Sequence, residues 1–228
     1  MDQRSRRNHP CRHPLLLLAL ALAFACLPGN ARAQTGDVNE TRLFFGPTAR
    51  SLQPGKGYIG VWEVVLPVAQ VGVTDRFSLG GGLPWQAMVD GDPVFWLTPK
   101  VELYRGDRTS VAAGVMAGVV IHHGVGGLAY AVVTTGGTDA AVSVAVFTPL
   151  AKSDSFPAMV MFGVEKRISD KVRFISENWV FGSFDFSLVT GGVRINGKRV
   201  AADFALGLAF DSDHAVFPVP VINVMWKF

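Results

Sequence analysis

Three features of this sequence predict an all-β fold, an antiparallel up-and-down transmembrane β-barrel of about twelve strands (ten to twelve). Long runs alternate bulky apolar residues with small or polar ones, as from Val200 to Phe210. The breaks between runs alternate between short polar turns and longer loops that carry most of the loop prolines. The chain ends on "PVINVMWKF", with Ile222, Val224, Trp226 and Phe228 on one side of a strand. Period-two alternation gives each face of a sheet its own chemistry. Short turns at one rim and longer loops at the other are the layout of transmembrane barrels. An apolar, aromatic end is of little use to a soluble domain, whose termini fray into water.

The first element is a leader. Arg4, Arg6, Arg7 and Arg12 form a positive region, Leu15 to Leu27 is an apolar run of thirteen residues, and Ala31-Arg32-Ala33 offers small residues for cleavage before Gln34. Thirteen residues are too few to span a bilayer, so residues 1–33 read as a secretory signal and 34–228 as one barrel domain. Ser5-Arg6-Arg7 and Ala23-Phe24-Ala25-Cys26 are weak matches to twin-arginine and lipoprotein signals. Both cysteines, Cys11 and Cys26, lie in the leader, which leaves the mature chain no disulfide, thiolate metal site or cysteine nucleophile. The leader also holds five of the 21 Lys+Arg and one of the 18 Asp+Glu, so the mature balance is 16 against 17, a net −1. The basic pI belongs to the export signal and is no argument for nucleic acid.

Strands are expected near 41–49, 58–73, 76–83, 94–105, 108–121, 128–135, 140–148, 158–168, 171–181, 184–195, 198–210 and 219–228. The short breaks are Thr74-Asp75, Gly106-Asp107, Gly136 to Asp139, Ser169-Asp170 and Asn196-Gly197, residues that suit tight hairpin turns. The longer set is Ser51–Gly57, Pro84–Pro93, His122–Gly127, Pro149–Pro157, Gly182-Ser183 and Asp211–Pro218. An even strand number places both termini at the short-turn rim. Pro47, Pro67 and Pro99 interrupt strands, and the 58–73 run changes face midway. A bulge at Pro67 explains both; the alternative is a turn at Leu66-Pro67 and a different count.

Two other folds compete. Thr109 to Val133 holds Gly114-x-x-x-Gly118, a helix-packing pattern, but only thirteen residues precede His122-His123, too short for a helical span. A secreted soluble β-barrel binding a small apolar ligand would also alternate. Against it, Gly80, Gly114, Ala205 and Gly207 share the second face with Lys100, Glu102 and Asp203, which suits a lumen better than a solvated exterior.

"TRLFFGPTARSL", "GVTDRFSLGGG", "RISDKVRFISEN" and the terminal Phe resemble uncharacterised outer-membrane β-barrel proteins of Gram-negative bacteria, over most of residues 41–228. The resemblance implies export to the outer membrane and a wall facing its lipids. It also implies that Ile222, Val224, Trp226 and Phe228 are the signal read by the barrel-assembly machinery. It carries no catalytic residues.

The residues supply no strong chemistry either. No Ser lies near His122 or His123. Ser212-Asp213-His214 is three consecutive loop positions, which cannot form a triad alone. Gly80-Gly81-Gly82 opens no helix and so is no phosphate loop. No enzyme, cofactor or metal site is expected, although a membrane-embedded lipid hydrolase is a further alternative. The lumen candidates are Glu63, Lys100, Glu102, Glu165, Arg167, Arg173, Glu177, Asp185 and Asp203, of both signs. They would pair across the interior or line a thin polar path. The expected function is that of an integral outer-membrane barrel, structural or a narrow passive pore for small solutes.

Overall fold

The computed structural model describes residues 37, 39–83, 94–120, 124–150, 158–182, 186–211 and 217–228. Twelve strands form one antiparallel sheet: β1 (Gly57–Trp62), β2 (Leu66–Gly72), β3 (Phe77–Gly82), β4 (Val94–Arg105), β5 (Thr109–Val120), β6 (Gly124–Gly136), β7 (Ala140–Pro149), β8 (Met159–Arg167), β9 (Val172–Phe181), β10 (Phe186–Asn196), β11 (Val200–Asp211) and β12 (Phe217–Lys227). Each strand pairs with its neighbours in sequence, and β1 pairs with β12 to close the barrel. The helical alternative at 109–133 is resolved as β5 and β6.

The short turns form where the sequence places them. Gly106 N–H bonds Thr109 O, Gly137 N–H bonds Ala140 O, and Gly197 N–H bonds Val200 O, at 2.9, 2.9 and 2.7 Å. Gly136 takes a φ of 126°, which a side chain would resist. The expected loops at 84–93 and 151–157, and the Ser212-Asp213-His214 and His122-His123 positions, lie outside the described residues.

The count of twelve survives through two compensating differences. Residues 41–49 are not a wall strand. They fold as a small hairpin inside the barrel, with Leu43 N–H bonded to Gly46 O and Thr48 N–H to Thr41 O, both at 2.9 Å. The 58–73 run is two strands, turning at Glu63-Val64-Val65 rather than bulging at Pro67. Both Glu63 and Val64 have positive φ, 50° and 63°, a conformation that favours Asn or Gly. The Glu63 N–H is held by Asn223 Oδ1 at 3.2 Å, which secures a turn that lacks turn residues. Ser51–Gly57, expected at the long-loop rim, therefore crosses the short-turn rim and leads into β1.

The faces follow the alternation. On β11, Phe204 and Leu206 are exposed outward while Asp203 is buried inward. Ile222, Val224, Trp226 and Phe228 all face out, at 39–56 % exposure, so the terminal stripe is part of the outer wall. One stretch differs. Leu188 shares the register of Trp179 and Ala209, both inward, so its bulky side belongs to the lumen. There Tyr130, Phe147, Trp179 and Phe181 form a chain of ring contacts with centroids 5.0–6.3 Å apart. Bulk alone misassigns this face, because aromatic rings serve an apolar lumen as well as lipid.

Candidate functional site

The barrel interior is filled on its short-turn side by the chain's own N-terminal segment. Its hairpin points up the lumen and ends at Phe44-Phe45-Gly46. Leu43 and Phe44 are fully buried, in one apolar cluster with Met161, Phe147 and Ile175. Gly163 leaves the room for Leu43: a Cβ there would fall 1.9 Å from Leu43 Cδ1.

Polar groups of the wall hold the hairpin backbone. Glu177 Oε2 accepts three successive N–H groups, from Phe44, Phe45 and Gly46, at 2.8, 3.0 and 3.1 Å. Its Oε1 accepts from Trp179 Nε1 at 2.7 Å. A carboxylate against several backbone donors forms charge-assisted bonds, roughly twice as strong as neutral ones. Lys100 Nζ donates to the carbonyls of Thr41, Thr48 and Arg50, at 3.2, 3.0 and 2.6 Å. Ala49 N–H bonds Thr134 Oγ1 at 2.8 Å.

A fully buried arginine completes the clasp. Arg194 pairs with Asp203 through Nε and Nη2, at 2.7 and 3.0 Å. Its Nη1 reaches Asn39 O at 2.9 Å and Asp37 Oδ2 at 3.4 Å, and Nη2 also reaches Leu43 O. Arg173 lies 3.2 Å from Asp37 and 3.4 Å from Glu165, and Glu165 also pairs with Arg50 of the plug. Burial pushes the Asp37 carboxyl up, but Arg194 and Arg173 more than offset this and hold it below the ordinary carboxylate value. From the plug side, Arg42 donates to Gln70 and Thr98 and stacks over the Trp62 ring at 5.1 Å.

The sequence-derived candidates are thus distributed unevenly. Lys100, Glu165, Arg173, Glu177 and Asp203 meet in or around the clasp. Glu102 is buried at the short-turn rim and pairs with Arg105. Arg167 pairs with Asp139 at 3.1 Å, also at that rim. Glu63 sits in the β1–β2 turn, and Asp185 lies outside the described residues. Arg194, Arg42, Asp37 and Asn223 are additional. Arg194 had a readable signal: counting back from the Asn196-Gly197 turn puts it opposite Asp203. The N-terminal segment also had one, since Gly46-Pro47 is a turn dipeptide. No group of three or more metal-ligating side chains occurs among the described residues.

This geometry, a twelve-stranded wall around an occupied lumen, can be set beside known structures. The barrel is similar to KdgM porin. That likeness has a TM-score of 0.58 at 9% identity, covering 76% of this chain and 98% of the other. KdgM porin in complex with disordered oligogalacturonate matches at 0.57, with the same identity and coverage. No family model and no curated protein matches the chain. At this identity the likeness concerns the fold.

Proposed function

We propose that residues 34–228 form an integral outer-membrane barrel, exported by the leader, in which the N-terminal hairpin closes a narrow passive path for small solutes from the short-turn side. The observation that carries this reading is the three-donor grip of Glu177 on the hairpin tip. It fixes the plug through backbone bonds rather than loose side-chain packing. The apolar outer wall, the even strand number and the likeness to a porin fold support the membrane setting. Lys100, Arg173 and Arg194 are each bound to plug carbonyls or carboxylates, so these lumenal cations are engaged rather than presented to an anionic sugar. The path therefore suits small neutral solutes. The transport reading is preferred to a hydrolase because Lys100, Arg173, Glu177 and Arg194 are engaged in holding the plug.

Liposome swelling tests this. Vesicles bearing the mature chain should swell slowly in small neutral solutes, and vesicles bearing a variant lacking residues 37–49 should swell several-fold faster. Equal rates for the two proteins, with both inserted, would refute the closure.

A further inference from the structure

Among the described residues, one side of the barrel wall is low. β1, β2 and β3 have six, seven and six residues, whereas the other strands have nine to thirteen. At about 3.4 Å per residue and a tilt near 40°, six or seven residues rise roughly 16–18 Å, short of the ~25 Å apolar band of a transmembrane barrel. β1 ends at Trp62, opposite Asn223. Beyond that level, residues 217–222 of β12 have β11 on one side and no β1 on the other.

A free strand edge at membrane depth would leave N–H groups unpaired in hydrocarbon, which is costly. This edge carries almost none. Phe228 N–H bonds Gly57 O, while Lys227 N–H bonds Arg199 O. N–H directions alternate along an antiparallel strand. Even-numbered residues of β12 therefore point toward β1, and the even positions on the free edge are Pro218, Pro220 and Ile222. The prolines have no N–H, which leaves Ile222 as the one donor among these three positions. Proline thus removes two of the three donors on this edge, while the carbonyls of Pro218, Pro220 and Ile222 face the same side.

Both sides of this gap suit a hydrocarbon chain. Outside and just below the gap, the paired part of β1, β2 to β4 and Val224 and Trp226 of β12 form a concavity of about 830 Å³, lined also by Ile59, Ala69, Leu79 and Leu97, which reaches the level of the gap at Val61 and Pro67. That lies within the roughly 300–1,000 Å³ of small-molecule sites. Inside, above the plug, Leu66, Trp96, Met116, Leu128 and Leu188 share the inward register. A Cβ on Gly126 would meet nothing within 4 Å, which leaves free space there.

We infer that the gap between the free edge of β12 and the β1–β2 turn is a lateral doorway, through which the acyl chain of a membrane lipid enters the upper lumen from the outer groove. The inference rests on the membrane reading but not on the closure of the plug.

Photo-crosslinking of the unmodified mature protein tests it, in vesicles of a phospholipid carrying a mid-chain diazirine. Adducts are expected on inward-facing Leu66, Leu128 or Leu188, at a yield comparable to that on outward-facing Ile59. Adducts confined to outward residues such as Ile59, Leu206 and Trp226 would overturn the doorway alone. Absence of adducts on those outward residues, in folded protein, would overturn the membrane reading and the doorway with it.

Discussion

Asp37 shows how single residues set the strength of the plug. It faces Arg194 and Arg173, and its Oδ1 accepts the Asn39 N–H at 3.0 Å. Its carboxyl is held below the ordinary value of about 3.9. A carboxylate with a lowered pKa contributes its full stabilisation above the ordinary pKa and loses it as pH falls through the lowered one. The Asp37 contact with the Asn39 amide should therefore keep its strength between pH 8 and 5 and weaken only below about 4. Hydrogen exchange of the Asn39 amide, corrected for its intrinsic rate, checks this; protection already lost between pH 7 and 5 would contradict it. The same scale explains what was hard to read in the sequence. Lys100 and Glu177 were visible as charges on a small-residue face, but most of their partners are backbone groups of residues 41–50. Backbone partners leave no trace in side-chain pattern.

At the scale of elements, alternation was legible wherever both faces differ in chemistry. β5, β7, β11 and β12 show it, and their turns carry the Gly, Asn and Asp that hairpins require. The reading failed at two elements, for two different reasons. Residues 41–48 alternate like a strand, yet their apolar side chains face other lumen residues rather than lipid. Glu63-Val64-Val65 turns without any turn residue, so the sequence ran through it. In β11 the face assignment makes a direct prediction. Leu206 is 53 % exposed on the outer wall, and Ala205 beside it points in. Leu206→Arg should cost roughly 2–4 kcal/mol if it lies near the bilayer midplane. Ala205→Ser should cost much less. Urea titration of folding into lipid vesicles compares them, and equal stabilities would require the register to be redrawn.

The whole molecule is a closed wall in which Lys100, Glu165, Arg173, Glu177 and Arg194 are turned onto the chain's own N-terminal segment. The stripe that ends in Trp226 and Phe228 continues the apolar outer face of the wall. Its neighbour across the closure is β1, which begins directly after the plug. Closure of the barrel and seating of the plug are thus adjacent events in the chain. The overall architecture was legible because a barrel repeats one pattern twelve times. The occupied lumen was not, because it depends on a single non-repeating segment. Planar-bilayer conductance tests the central claim most directly. The mature chain should be nearly silent, Glu177→Ala should open intermittently as the tip loses its anchor, and the variant lacking residues 37–49 should give steady ohmic steps. Steady steps of equal size from all three proteins would show that the hairpin does not close the lumen.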